Sequence, residues 1–281
     1  GKDGLFFVGL PYVVQNKIYN VAAAVCGGKV LGMVTKTFLP NYSEFYEMRQ
    51  FQPGPKVAEW ISYGEEKIPF GPQILFGCKE LPDLIVSAEI CEDVWSPIPP
   101  SIQAALVGAT VIVNCSASDE TVGKDEYRKR LISGQSARLI AGYVYANAGA
   151  GESTTDVVFG GHNIIAENGS ILSESERYTN EIIYSEIDIE RIVSERRKNT
   201  TFQMQPNQGR FIQVPFSIRK EETCLTRKLE KSPFVPEDGE QRKRCCEESL
   251  TIQAMGLKKR LAHTNCKSAV VGISGGLDST L

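Results

Sequence analysis

Short apolar runs separated by turns alternate with stretches of helical periodicity along most of this chain, a pattern that belongs to an α/β protein. Leu5 to Leu10 reads as a strand, and Ile18 to Val25 and Lys29 to Thr35 read as a hairpin about Gly27-Gly28. Leu84 to Ile90 is a further buried strand. After the proline-rich turn Pro97-Ile98-Pro99-Pro100, Ser101 to Gly108 suits a helix and Thr110 to Asn114 a strand, and Lys124 to Ala141 then carries apolar residues at helical spacing before Tyr143 to Asn147 returns to strand. These are β-α-β units. A late hairpin is predicted with arms Val157 to Ala166 and Ser170 to Glu174, because Asn168-Gly169 supplies the positive φ angles of a tight turn.

Beyond Asp188 the polar run Ile189 to Asn199 suits a surface helix. From about Pro215 to Arg244 charge and proline are scattered without period, which reads as a linker, whereas Leu250, Ala254, Leu257 and Leu261 place a helix over Cys245 to His263. Ser268 to Ile273 then reads as a buried strand running into Ser274-Gly275-Gly276-Leu277-Asp278-Ser279, a loop of small residues able to turn backbone N–H groups toward an anion. Such a loop should open a helix, and the chain stops before one is expected to form. The predicted organisation is a first domain over 1–214, a linker over 215–244 and the start of a second domain over 245–281.

Composition narrows the function classes. A chain of 281 residues with 42% hydrophobic content can bury a full core, and its formal charge of −3 gives no general attraction to nucleic acid or to acidic membranes. No apolar stretch approaches a membrane span, so small diffusible substrates and a cytoplasmic setting are expected. The eight cysteines include no CxxC pair and there are only two histidines, His162 and His263, which disfavours a structural zinc site and suits reduced, partly buried thiols.

Two places carry chemistry. Cys91 ends a buried strand and is followed by Glu92-Asp93-Val94-Trp95, where a thiol emerges into a polar loop. A nucleophilic thiol needs a cation to favour the thiolate and a base to take its proton; Lys36, at the end of the earlier hairpin, is a candidate cation. Taken singly, an apolar-flanked cysteine is inert more often than not, and a strand-end lysine is usually a solvated charge. A Cys91–His162 pair is disfavoured because Cys91 lacks the flanking glycines of a sharp nucleophile elbow. The second place is the loop Ser274 to Ser279, which lacks the lysine of a Walker A sequence.

That loop resembles the SGGxDS loop of the ATP pyrophosphatases. Lys36 to Glu47, Ala88 to Trp95, Asn114 to Ser118, Ala148 to Asp156 and Glu167-Asn168-Gly169 are in turn similar, in order and spacing, to the nitrilase-type glutaminase domain of the glutamine-dependent NAD synthetases. The resemblance implies a nitrilase-like α-β-β-α sandwich, followed by the first helix and strand of an adenine nucleotide α-hydrolase-like domain. It implies Cys91, Lys36 and Glu47 as the catalytic set: Cys91 attacks the glutamine amide, Lys36 stabilises the oxyanion and Glu47 orients Lys36. It further implies a glutamine pocket of Tyr42, Phe45, Glu92, Trp95, Ser118 and Lys124, and ATP contacts from Ser274, Gly275, Gly276, Asp278 and Ser279. Glutamine, deamido-NAD and ATP with Mg2+ are the implied substrates, with no prosthetic group, no protein-bound metal in the glutaminase site, and a homo-oligomer as the assembled enzyme. The family draws its general-base glutamate from near the start of the domain. Residues 1–43 contain no Glu, so the chain reads as cut at its beginning as well as at its end, and as inactive in both half-reactions by itself. The alternatives are a nitrilase-family amidase acting on another amide, and a non-catalytic nitrilase-fold assembly module.

Overall fold

The computed structural model describes residues 3–152, 156–227 and 234–280, and the chain divides into two compact units, Gly1–Arg227 and Lys228–Leu281. The first unit is built on two sheets. One has five strands in the order β1-β2-β3-β5-β4, from β1 (Leu5–Val14), β2 (Lys17–Cys26), β3 (Lys29–Thr35), β4 (Glu59–Tyr63) and β5 (Glu66–Phe70). The other has seven in the order β11-β10-β9-β8-β7-β6-β12, from β6 (Ile74–Cys78), β7 (Ile85–Ile90), β8 (Val111–Ser116), β9 (Gly142–Asn147), β10 (Ile164–Glu167), β11 (Ser170–Glu174) and β12 (Ile212–Phe216).

The turn residues set the antiparallel part. Gln15 and Asn16 between β1 and β2, and Gly27 and Gly28 between β2 and β3, all take positive φ, as two-residue hairpin turns require. Asn168 and Gly169 do the same between β10 and β11, at φ of 45° and 90°. The central strands β7, β8 and β9 run parallel, joined through α1 (Pro100–Leu106) and α2 (Lys124–Leu139). Pro100 occupies the first helical position of α1, where its missing N–H costs nothing.

Core residues from both sheets meet between them: Ala24 and Val34 from the first, Ile74, Phe76, Val86 and Val111 from the second. On its other face the seven-stranded sheet buries Ile112, Tyr143 and Tyr145 against Ala104 and Ala105 of α1 and Ile132 and Leu139 of α2. Truncating a side chain as enclosed as Phe76 to Ala costs about 3–5 kcal/mol. This is the expected α/β architecture of two packed sheets, with helices on the outer face of the larger one.

Several expectations need correction. The first arm of the late hairpin is only Ile164–Glu167, because residues 157–163 run as an irregular loop with a single bridge, Asp119 to Phe159. The helix after Asp188, α3 (Ile189–Lys198), is not a pure surface helix: Ile192 is buried, and buried Arg196 donates to the carbonyls of Ala109, Leu139 and Ile140. The linker expected from Pro215 begins too early, since β12 pairs in parallel with β6 through Phe216. The chain stays with the first unit as far as Arg227, whose guanidinium forks onto Glu167 at 2.9 and 3.2 Å.

In the second unit α4 (Gly239–His263) starts earlier than its apolar period indicated, capped by Asp238, which accepts the Gln241 N–H at 2.8 Å. Ser268 to Ile273 is not a strand. Val270, Val271 and Ile273 stand exposed there, because a strand needs a neighbour to take its backbone hydrogen bonds and none lies beside it among the described residues. A helical turn does follow the small-residue loop, α5 (Leu277–Thr280).

Candidate active site at the ends of β3, β7 and β8

Lys36 follows the last residue of β3 and is 3% exposed. Its Nζ lies 2.5 Å from Glu47 Oε2, and the other carboxylate oxygen of Glu47 accepts from Asn20 Nδ2 at 2.8 Å. Both oxygens of Glu47 are therefore engaged, and the loop carrying it is closed by the Glu47 N–H donating to Pro40 O at 3.1 Å. Such a carboxylate fixes the lysine.

Cys91 leaves the end of β7 at the start of a 3-10 turn, Cys91–Trp95, with φ of 46°. A non-glycine residue in this left-handed region costs about 1–3 kcal/mol and persists only where its surroundings over-determine it. The sharp elbow thus forms without flanking glycines, contrary to the sequence argument. Two buried polar groups hold it: Asn114 Oδ1 accepts the Cys91 N–H at 3.0 Å, and Asp93 Oδ2 accepts the Ile90 N–H at 2.9 Å. Behind them Asn114 Nδ2 donates to Tyr143 Oη at 3.2 Å, Tyr143 donates to Glu89 at 2.5 Å, and the other Glu89 oxygen accepts Ser101 N–H in the first turn of α1. Burial raises Glu89 above the ordinary carboxylate range. It pushes Asp93 up to about 7, against the pull of the backbone N–H groups of Ile90 and Phe38 and of Lys36.

Cys91, Lys36 and Glu47 line one cavity of about 900 Å³, together with Asn20, Phe45 and Cys115. Burial holds the Cys115 thiol up at about 11, so it stays protonated near neutral pH. At the mouth, Tyr46 Oη donates to Asp156 at 2.5 Å and joins the Pro40–Glu47 loop to the segment after Ala148; Ser153, Thr154 and Thr155 of that segment lie outside the described residues.

Of the expected glutamine-pocket residues only Phe45 lines this cavity. Tyr42 packs edge-on against Phe45 at 5.8 Å and donates to Glu92 at 2.6 Å. Lys124 sits 5.8 Å from the Phe45 ring and 5.6 Å from Trp95, and forms an ion pair with Asp119. These five form a rim beside the cavity. Ser118 is instead buried, with its Oγ accepting from Arg128 at 3.3 Å and its N–H donating to Asn147 at 2.8 Å. His162 is buried away from Cys91, between Arg128 Nη1 and Glu174 Oε1, each at 3.0 Å. In the second unit Ser274 and Ser279 hydroxyls lie 3.1 Å apart and close the loop on itself, with Gly275 at φ of 83°. Among the described residues no group of three or more His, Cys, Asp or Glu is gathered to hold a metal ion, and no helix is long and apolar enough to cross a membrane.

Asn20, Asn114 and Tyr143 were not assigned roles from the sequence. Asn20 carries no local signal, since it meets Glu47 across 27 positions of sequence, beside the Lys36 N–H that its carbonyl accepts at 2.9 Å. Asp93 was visible in the run Cys-Glu-Asp but indistinguishable from a solvated acid.

Residues 5–197 match the carbon-nitrogen hydrolase family. This chain belongs to that family. The chain is 42% identical to the glutamine-dependent NAD(+) synthetase of Mycobacterium leprae over 97% of its own length and 42% of the relative, and 26% identical to that of Aquifex aeolicus over 99% and 44%. The chain therefore spans about two fifths of the length of these curated relatives. Among solved structures it is similar to a glutamine-dependent NAD(+) synthetase from Cytophaga hutchinsonii, with a TM-score of 0.55 and 31% identity over 62% of this chain and 28% of that one. A carbon-nitrogen hydrolase from Helicobacter pylori shares the fold, with a TM-score of 0.56 at 20% identity over 71% of this chain and 67% of that one.

Proposed function

We propose that this carbon-nitrogen hydrolase is the glutaminase part of a glutamine-dependent NAD synthetase. The observation that carries the reading is one cavity shared by a half-buried thiol on a left-handed elbow and a buried, carboxylate-anchored ammonium. The Cys91 sulfur attacks the side-chain carbonyl of glutamine and forms a C–S bond; the oxyanion draws the Lys36 charge; the C–N bond breaks as the amide nitrogen takes up the proton the thiol gave and leaves as ammonia. Water then cleaves the thioester to glutamate. Lys36 is already desolvated and fixed by Glu47, so little reorganisation accompanies charge development.

Tyr42, Phe45, Glu92, Trp95 and Lys124 form the rim that grips the α-ammonium and α-carboxylate, an acid and a base being what an amino-acid zwitterion needs. Ser118 supports this wall from behind, its hydroxyl accepting from Arg128 and its N–H donating to Asn147. Ammonia amidates deamido-NAD after activation by ATP, taken as its magnesium complex and bound through Ser274, Gly275, Gly276, Asp278 and Ser279. Identity to curated synthetases across both units supports the fusion. The assembled enzyme is a cytoplasmic homo-oligomer.

The test is trapping. In the full synthetase of which this chain is proposed to be a part, brief incubation with glutamine followed by acid quench should leave a glutamyl adduct on Cys91, found by peptide mass and absent from Cys91→Ala. A chain that ignores glutamine but releases ammonia from simple aliphatic amides is an amidase of another specificity, and one whose Cys91 is modified by neither is a non-catalytic module.

A further inference from the structure

The two chemical groups of the cavity stand on separate loops, one after β3 and one after β7, and nothing in either loop's own sequence fixes their separation. Tyr42 and Glu92 join these loops at 2.6 Å, and Asp93 joins them at the strand ends. Asp93 Oδ2 accepts the Ile90 N–H at 2.9 Å, at the base of the Cys91 elbow, while Asp93 Oδ1 accepts Thr37 N–H at 3.0 Å and Phe38 N–H at 2.8 Å, directly after Lys36. Neither Thr37 nor Phe38 has a backbone carbonyl partner for its N–H among the described residues. Asp93 is itself fully buried, in the middle of the 3-10 turn, and its own carbonyl accepts from Ser96 Oγ at 2.7 Å. A carboxylate taken wholly out of water is retained only where its acceptors are used, and here the three donors it serves come from two strand ends.

We propose that Asp93 is the positioning residue that sets the distance between the Cys91 sulfur and the Lys36 ammonium, by holding both loops on one carboxylate. This rests on the assignment of Cys91 as nucleophile and Lys36 as its cation. The clamp works without touching substrate. Its two oxygens divide the labour, so an isosteric amide can satisfy one loop only: an asparagine presents one acceptor, and its NH2 group faces N–H donors on the other side whichever way it is turned.

Two measurements decide it. In the unaltered chain, residue-resolved amide exchange should show Thr37 and Phe38 protected on the order of a hundredfold or more over free peptide, although they lie in an irregular loop; free exchange at both overturns the clamp, and needs no variant to fold. Alkylation of Cys91 by iodoacetamide, followed by peptide mass against exposed Cys246, is then compared in the parent, Asp93→Asn, Lys36→Met and the double variant, each checked by circular dichroism. Losing a well-placed cation slows a thiolate reaction about tenfold or more. Asp93→Asn should approach the slowing produced by Lys36→Met, and the double variant should be no slower than the slower single, because both remove one interaction. Multiplying effects mean that Asp93 acts independently of Lys36 and refute the proposal. A parent Cys91 no more reactive than Cys246 refutes instead the assignment of the nucleophile, and the proposal falls with it.

Discussion

Removing the charge of Glu47 while keeping its shape tests whether the ammonium of Lys36 depends on a single partner. The Lys36 side chain is 4% exposed and that of Glu47 15%, with Nζ and Oε2 2.5 Å apart. In Glu47→Gln the Asn20 contact has a counterpart, but the buried cation loses its compensation. Breaking one side of a buried pair costs about 3–5 kcal/mol, and the partial exposure of Glu47 places this case near 3. In a unit of this size, each kcal/mol moves the melting temperature by about 2–4 °C, so a fall of roughly 6–12 °C is expected by scanning calorimetry. Adding Lys36→Met removes the stranded charge as well. The double variant should recover at least half of the lost temperature while Cys91 chemistry stays impaired. A Glu47→Gln melting temperature within about 2 °C of the parent, or a double variant less stable than the single, would refute the argument.

Three further outcomes follow from the same geometry. With the thiol of Cys115 held up at about 11, iodoacetamide at pH 8 should label Cys91 and leave Cys115 unmodified by peptide mass; equal labelling would contradict the burial of Cys115. Asp93 moves from an ordinary 3.8 to about 7 on folding, so between these values the folded chain holds a proton that the unfolded chain has released. Its contribution to stability therefore declines as pH rises from about 4 to 7, and melting temperatures of the parent minus Asp93→Asn should fall across that window; a rising difference would reverse the sign. His162→Asn should cost on the order of 1–3 kcal/mol through its lost contacts with Arg128 and Glu174, yet leave the alkylation rate of Cys91 unchanged; a lost thiol reactivity in a folded variant would restore an imidazole to the mechanism.

Much of the first unit was legible because its turns are written in residues with few other uses: Gly27-Gly28 and Asn168-Gly169 announce their hairpins, and Pro99-Pro100 the start of α1. The strands β4 and β5 were missed because Glu59–Tyr63 and Glu66–Phe70 are short and polar on one face, and acquire their meaning from the β3 edge they extend. Ser268 to Ile273 failed in the opposite direction, since an apolar run specifies a strand only where a neighbour completes it. Cys91 and Lys36 were legible as a strand-end thiol and a candidate cation, and the resemblance gave them their roles, whereas their supports were not legible. Asn20, Asn114 and Asp93 act across 27, 23 and 55 or 56 positions of sequence, separations at which no local pattern links the partners.

Parallel pairing places Glu89 beside Asn114 and Asn114 beside Tyr145, so the polar chain behind the thiol exists in one alignment of β7, β8 and β9. A strand shifted by one residue exchanges its two faces. Deleting a single residue from Val111 to Val113 would therefore keep a β-forming segment and much of its apolar content, yet turn Asn114 away from the Cys91 N–H and offer a neighbour of the wrong kind in its place. Substitutions in β8 can be graded by size and polarity, whereas length changes there act as a reading-frame error in space. The strand carries its message in the count of its residues, and a family of such sites should tolerate exchange along β8 far more readily than insertion or loss.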